Sequence, residues 1–415
     1  MEATVAVIGT CDTKLTELLF LRDEIEKNAG TNAILIDVGN KPTPNDNIYL
    51  SASDILSKYS PGVDISQLTR GEFIERMSDC TAKAVQELYA NDSIHGIISA
   101  GGSGGTALAS TVMRLALPIG FPKLIVSTIA SGDTGPIIGE TDITLMYSVV
   151  DIAGLNQLLR GILGNAAAAI AAAAKSYANR EIIQRDKFNS KKRVAITMFG
   201  VTTPGVNAIR DYLESNFPIE TYVFHATGHG GKAMERLIRN NQIDAVIDLT
   251  TTEICDLVMG GVMSAGNERL DAATAAGIPN IVSLGALDMA NFGSKSSVPE
   301  KYKNRTQVQH NPIVTLVRSS ADDCKAVAEF ICQKLKKSVN TTLTQVWVPK
   351  GGISMLAVPG GPFYDEAADA ILFGTINTML EGTGIKVVED PGHINDLEFA
   401  RRVAKALLQL MQFSE

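Results

Sequence analysis

The chain has 415 residues, 45% hydrophobic and 20% charged, with a formal net charge of −8. Single cores rarely grow beyond about 250–300 residues, so this length predicts two domains. The acidic balance excludes a nucleic-acid surface, which needs a basic patch; the one concentrated basic run, Lys191-Lys192-Arg193, reads as the opening of a strand at a domain joint.

In chain order, TVAVIGT (4–10) reads as a buried strand, residues 16–30 as an amphipathic helix ending at Gly30, and NAILIDVG (32–39) as a second strand. Residues 40–70, with Pro42, Pro44, Pro61 and Gly62, form a long excursion carrying one short helix over 51–59. A helix over 71–91, the strand IHGIISA (94–100), a helix from Thr106 and the strand KLIVSTI (123–129) follow, then a helical stretch over 153–186. Within it, GNAAAAIAAAAKSYA (164–178) is too short to span a bilayer and reads as a buried or joint-spanning helix, so no membrane association is expected. The charged segment REIIQRDKFNSKKR sets the domain boundary, giving an N-terminal α/β domain over 1–187 and a C-terminal one over 188–415.

Alternation restarts with RVAITMFG (193–200), a helix after Pro204-Gly205, TYVFHA (221–226) and a helix after Gly231. IDAVIDLT (243–250), NIVSLGAL (280–287) and IVTLVRS (313–319) continue the strands. A helix over 321–337, TQVWVP (344–349), a helix over 365–381, IKVVED (385–390) and a helix over 395–412 complete the pattern. Short apolar strands separated by helices predict two Rossmann-like α/β domains, each a parallel sheet covered on both faces. Five cysteines without CxxC spacing argue against a disulfide framework or zinc ribbon, and no basic leader precedes the first strand; both point to a cytoplasmic protein. Cys324, Cys332 and Trp347 read as core, and PGGPFYDEAADA (359–370) as a turn and helix start.

In a parallel α/β sheet, ligands bind at the carboxyl ends of the strands. In the first domain the unusual residues fall there: Gly9-Thr10-Cys11-Asp12-Thr13-Lys14, then Asp37 to Asn40, then Gly101-Gly102-Ser103-Gly104-Gly105-Thr106, then Ser127 to Thr134 with Ser131, Gly132 and Asp133. Glycine carries an entropic penalty, so a run this dense serves either close backbone packing or the approach of backbone N–H groups to an anion. A helix beginning at Thr106 aims its N-terminal N–H groups over the loop, Lys14 offers a point charge, and Thr10, Thr13, Ser103 and Thr106 offer hydroxyls. Asp12 and Asp133 read as helix caps or as magnesium ligands. GTCDTK is not a Walker A motif, and GSGGTA formally fits GxGxxG/A yet lacks the acidic residue expected about 20 positions later.

Four of the five histidines, His225, His229, His310 and His393, fall in the second domain. With Glu253 and Asp288 they outline a second polar site, in which His225, His229, Glu253 and His310 are the candidate catalytic groups. His225 and His229 are four apart, but the intervening Ala-Thr-Gly argues against a zinc-binding helix, and no HExxH is present. Gly228-His229-Gly230-Gly231-Lys232 opens a helix and reads as another anion cradle.

VAVIGTCDTKLTEL, IISAGGSGGTALAS, IVSTIASGDT, DIAGLN, FHATGHGGKAME, LGALDMANF, HNPIVTLVR, PGGPFYD and HIND, in this order, resemble the blocks of the tomato mosaic virus resistance protein family, which carries the Tm-1-like ATP-binding domain. The resemblance implies an ATP-binding α/β protein of two subdomains, with or without Mg2+, that forms a homodimer. It further implies a protein partner, because antiviral plant members bind a viral replication helicase through this region. The nucleotide contacts it implies are Gly9, Thr10, Asp12, Thr13, Lys14, Gly101, Gly102, Ser103, Gly104, Gly105 and Thr106, with Ser131, Gly132 and Asp133 less directly matched. Two departures stand out. The plant proteins continue into a (β/α) barrel resembling phosphoenolpyruvate hydrolases, whereas this sequence stops at Glu415. Ala357 also stands where the family pattern leads us to expect an aspartate before the PG. Two functional expectations result: a nucleotide-binding protein working through the first domain, or an enzyme holding a small phosphorylated or carboxylated metabolite in an interdomain cleft with His/Glu acid–base groups.

Overall fold

The computed structural model describes residues 2–63, 67–184 and 191–413. The chain separates into two compact units, Met1–Asn189 and Ser190–Glu415. The boundary expected at 187/188 lies outside the described residues.

Among the described residues, the first unit contains β1 (Ala3–Gly9), α1 (Cys11–Glu26), β2 (Thr31–Asp37), β3 (Ile48–Leu50), α2 (Ala52–Tyr59), α3 (Arg70–Ala90), β4 (Gly96–Gly101), α4 (Ser103–Ala116), β5 (Lys123–Ser127), α5 (Gly135–Ile138), β6 (Thr144–Tyr147) and α6 (Gln157–Gln184). The strands pair in parallel in the order β3-β2-β1-β4-β5-β6. Strand side chains alternate between faces, and β1 shows why its run is continuously apolar. Ala6 and Ile8 pack with Ile55, Met77, Val85 and Leu108 from α2, α3 and α4. Val5 and Val7 pack on the other face with Leu18 and Leu21 of α1 and Leu163 and Ile170 of α6.

Several boundaries differ from the sequence reading. β3 and β6 were not expected; both are edge strands of three and four residues, too short to show a strand period. α1 starts at Cys11, with a break in helical geometry at Lys14 (φ −137°, ψ 24°). α4 starts at Ser103, not Thr106, and Gly102 is its N-cap. Glycine is a poor helix former, so Gly104 and Gly105 postponed the α4 start in the sequence pattern; at α1 the weak formers Cys11, Asp12 and Thr13 did the same. Gln157–Asn179 of α6 is long and apolar enough by length and composition to cross a membrane, which the shorter alanine run did not suggest. Leu159, Leu163, Ala167, Ile170 and Ala174 of this helix are buried in the unit's own core.

The second unit contains β7 (Lys192–Met198), α7 (Thr203–Asn216), β8 (Ile219–His225), α8 (His229–Arg239), β9 (Ala245–Thr250), α9 (Thr252–Met259), α10 (Asp271–Ala276), β10 (Asn280–Gly285), β11 (Met289–Phe292), β12 (Gln307–Asn311), β13 (Val314–Arg318), α11 (Ala321–Leu335), β14 (Thr344–Pro349), α12 (Glu366–Leu380), β15 (Lys386–Asp390) and α13 (Leu397–Leu410). Its parallel sheet has the order β15-β14-β10-β9-β7-β8. IVTLVRS does not join it. As β13 it is the middle strand of an antiparallel β11-β13-β12 sheet, and a short apolar run carries no signal separating the two cases. Cys324, Cys332 and Trp347 are buried as expected; the indole N–H of Trp347 donates to Gln345 Oε1 at 3.0 Å.

Candidate functional site

The order β3-β2-β1-β4-β5-β6 reverses direction between β1 and β4, and such reversals open a crevice at the strands' carboxyl ends. A cavity of about 710 Å3 lies there, within the roughly 300–1,000 Å3 usual for small-molecule sites. It is lined by the first turns of three helices: Asp12, Thr13 and Lys14 of α1, Arg70, Phe73 and Ile74 of α3, and Ser103, Gly104 and Gly105 of α4. Thr10, Val38, Asn40, Leu68, Gly102 and Leu108 complete the wall.

The first turn of an α-helix leaves its N–H groups without intrahelical acceptors. In α4 the chain supplies no substitute: Gly102 has no side chain to cap with, and among the described residues no side chain accepts from Ser103, Gly104 or Gly105. By contrast, α2 and α3 close their own first turns with reciprocal Ser51/Asp54 and Thr69/Glu72 capping boxes. The Thr10 and Thr13 hydroxyls lie 2.9 Å apart on the α1 side. Asp12 Oδ2 accepts the Asn40 N–H at 3.2 Å, while its Oδ1 is buried with no hydrogen-bond partner among the described residues. Lys14 is less available than expected, since its ammonium donates to the Ile152 carbonyl at 2.5 Å.

Of the sequence candidates, Thr10, Asp12, Thr13, Lys14, Gly102, Ser103, Gly104 and Gly105 line this one cavity. Gly9, Gly101 and Thr106 lie beneath it and serve packing: a Cβ on Gly9 would stand 2.6 Å from the Leu18 methyls, and Thr106 Oγ1 shares a buried 2.7 Å hydrogen bond with Ser127 Oγ. Ser131, Gly132 and Asp133 sit on an exposed turn outside the lining, where Asp133 Oδ1 accepts the Gly135 N–H at 3.0 Å. Strand-end reasoning missed the α3 wall, because α3 follows the proline-rich excursion and no strand announces it. The readable signal was RGEFIE, an arginine with Phe73 and Ile74 at the i+3 and i+4 positions of one helix face.

In the second unit the expected cradle is taken by the chain itself. Glu253 Oε1 accepts the N–H groups of Gly228 at 2.7 Å and Gly231 at 3.0 Å, and its Oε2 accepts from Arg269 Nε at 2.8 Å. Arg269 is buried and also binds Asp248 through both terminal nitrogens, at 2.5 and 2.6 Å. Glu253 is therefore not available as a general base, because both of its oxygens are engaged. His225 and His229 flank the β8–α8 turn and are exposed, with His225 stacked on Phe199, while His310 is exposed on β12 of the other sheet. His393 pins a loop, accepting the Asn395 N–H at 3.0 Å and pairing with Asp396 at 2.9 Å. The reversal between β7 and β9 is likewise covered: Asn395 Oδ1 accepts the Gly205 N–H, and Asn395 and Met355 both donate to the Val201 carbonyl. Ala357 is buried and lines a smaller cavity of about 410 Å3 at the ends of β14 and β15.

The model described as "Uncharacterised protein family (UPF0261) N-terminal domain" matches residues 3–179, and the corresponding C-terminal domain matches residues 191–411. A UPF0261 protein of Clostridium tetani is 43% identical over 99% of this chain and 100% of its own length. The "ToMV susceptible protein tm-1(GCR26)" and "ToMV resistance protein Tm-1(GCR237)" of Solanum lycopersicum are 38% and 39% identical over 98% of this chain; it spans 55% of each. Among solved structures, a putative UDP-N-acetylglucosamine 2-epimerase from Listeria monocytogenes aligns over 68% of this chain and 79% of its own, at 12% identity and a TM-score of 0.24, a likeness too low to bear on function.

Proposed function

The chain belongs to the uncharacterised protein family UPF0261 along both of its units, and on that premise we propose that it is a nucleotide-binding protein that takes ATP in the cavity between β1 and β4. The observation that carries the reading is the first turn of α4, whose N–H groups face a cavity and find no acceptor in the described chain. A helix N-terminus favours an anion, and the chain's own Glu253 illustrates the preference at α8. Ser103, Gly104 and Gly105 hold phosphate oxygens by main-chain N–H groups, with Thr10 and Thr13 as neutral donors. Lys14 turns to the anion from the Ile152 carbonyl, since a charged acceptor makes the stronger hydrogen bond. The apolar wall of Leu68, Phe73 and Ile74 receives the base.

A mononucleotide fits better than a dinucleotide. In dinucleotide sites a carboxylate near the second strand binds the ribose, but Asp37, at the end of β2, is buried with Oδ1 accepting from Cys11 and Gly39 N–H at 2.9 and 2.8 Å. Magnesium enters with the nucleotide: among the described residues no cluster of three metal-binding side chains is present, and Asp12 is the acid in the wall. A homodimer, a nucleotide-regulated protein partner and a cytoplasmic setting belong to the same proposal; the five cysteines are free and buried, which suits a reducing compartment.

The test is a thermal-shift titration with ATP, ADP, AMP, GTP and NAD, with and without Mg2+, on the wild type and Lys14→Ala. Ligand at about 100 times its dissociation constant adds roughly 2.7 kcal/mol of stability. A shift with ATP that Lys14→Ala weakens is expected. No shift with any nucleotide would overturn the proposal.

A further inference from the structure

The cavity of about 410 Å3 in the second unit is built along one face of α12, from Asp369 through Phe373 and Gly374 to Asn377. Its size is within the range usual for small-molecule sites. Its lining is rich in acceptors, with Glu366, Asp369 and Glu389 set against one cation, Lys350. Glu389 is already engaged, by Lys350 at 3.1 Å and Asn377 at 2.7 Å. Asp369 is engaged by half. It is 7% exposed, and Arg318 Nη2 donates to its Oδ1 at 2.6 Å, while Oδ2 accepts no hydrogen bond among the described residues and is not among the chain's enclosed polar atoms. The same unit satisfies its other buried acids: every carboxylate oxygen of Asp248, Glu253 and Glu235, around Arg269, accepts at least one hydrogen bond. Buried carboxylate oxygens are normally paired, so one left open on a cavity is a place for a donor from outside the chain. Gly374 is an independent sign of the same vacancy. It lies inside α12 without a positive φ, and a Cβ built on it meets nothing within 4 Å. Glycine there weakens the helix, and no contact of the described chain requires it; its missing side chain leaves room in the cavity.

We propose that this cavity is a second ligand site, taking a small organic amine whose ammonium group donates to Asp369 Oδ2 while its apolar body lies over Gly374 beside Phe373. The site is independent of the nucleotide reading of the first unit. Charge favours a cation. Arg318 faces Asp288 as well as Asp369, so one guanidinium serves two buried carboxyls. Burial raises the Asp369 carboxyl above its usual value despite the pull of Arg318, a deficit that a further cation corrects. An anion would instead meet three carboxylates. A metal ion is the poorer match, because among the described residues no group of three metal-binding side chains occurs, and Glu366, Asp369 and Glu389 do not converge on one point. Phe373 follows Asp369 by four residues, about 6 Å along the helix axis, so an amine whose apolar body begins a few bonds from the nitrogen reaches both. The ammonium–carboxylate contact is a charge-assisted hydrogen bond made in a place that is largely closed to water, which is where such bonds are strongest.

The experiment is isothermal titration of wild type, Asp369→Asn and Gly374→Leu with phenethylamine, agmatine and phenylethanol, the last being the uncharged counterpart of the first. Asparagine keeps an acceptor for Arg318 and removes the charge. Leucine fills the cavity from a position with no neighbour within 4 Å and is the better helix former, so Gly374→Leu should melt no lower than the wild type and keeps the test open if Asp369→Asn fails to fold. The wild type should bind at least one amine and bind phenylethanol at least about tenfold more weakly than phenethylamine. Asp369→Asn should weaken the bound amine by about 10- to 100-fold, the worth of a hydrogen bond to a charged group, and Gly374→Leu should abolish its binding. Three results overturn the proposal: no amine bound by the wild type at millimolar concentration, phenylethanol bound as well as phenethylamine, or wild-type amine affinity in either variant once its melting curve shows it folded. None of them bears on ATP, whose proposed cavity lies in the other unit.

Discussion

Replacing Gly105 with alanine separates the two reasons a glycine loop can exist. Gly105 lies in the first turn of α4, has no positive φ, and a Cβ built on it meets nothing within 4 Å. Nothing in the described chain therefore requires glycine, and alanine is the better helix former by about 0.5–1 kcal/mol. For a unit of this size that is a rise in melting temperature of roughly 1–4 °C. If an anion approaches this turn, the added methyl stands in its path and nucleotide affinity should fall at least about tenfold, or 1.4 kcal/mol. The control is Gly231→Ala, where the Cβ would lie 2.1 Å from Glu253 Oε2. Displacing a buried, paired carboxylate should cost about 3–5 kcal/mol. The assay is calorimetric melting of both variants, with ATP titrations of Gly105→Ala. A Gly105→Ala protein that melts higher and binds ATP as the wild type does would refute a ligand at α4; one that melts several degrees lower would refute the packing analysis.

Arg269→Met should destabilise the second unit by about 3–5 kcal/mol, because it leaves Asp248, Glu253 and Glu235 buried without their cation; a loss below about 1 kcal/mol in urea unfolding would contradict this. Asp288 is fully buried, and burial raises its carboxyl to about 7 against the opposing pull of Arg318 and Ser354. Between about pH 4 and 7 the native state then keeps a proton that the unfolded chain has lost, so stability falls as pH rises through that window. Asp288→Asn should flatten the fall between about pH 4 and pH 7, leaving the parallel contribution of Asp256, also raised to about 7 by burial; an unchanged slope would exclude Asp288 as its source.

The sheets were legible because their signal is local. TVAVIG, GIISAG and AVIDLT are strand-length apolar runs beside helical periodicity, and each became a central parallel strand. β3 and β6 were not, since an edge strand of three or four half-exposed residues has no run to read. The same limit explains the site. Thr10 to Lys14 and Gly102 to Gly105 follow their strands directly, so topology alone brings them to one place. Arg70, Phe73 and Ile74 reach the same cavity from a helix reached through the 40–69 excursion, and nothing in their immediate sequence states which strand ends they will face.

The two glycine-led helices carry this furthest. AGGSGGT and ATGHGGK both read as anion cradles, and in both the helix begins earlier than its first good helix former, at Ser103 and at His229. What separates them is not in either motif. In the second unit a glutamate on the neighbouring strand-end, Glu253 in the first turn of α9, reaches the cradle and brings a buried arginine with it. In the first unit the neighbouring strand-ends offer Asp37, which turns to the Cys11 and Gly39 N–H groups, and Asp12, which turns to Asn40. Neither carboxylate accepts from α4. On the proposed reading, whether a glycine-led turn holds a side chain of the chain or a ligand is decided by acids that lie distant in sequence and become neighbours only once the sheet has formed.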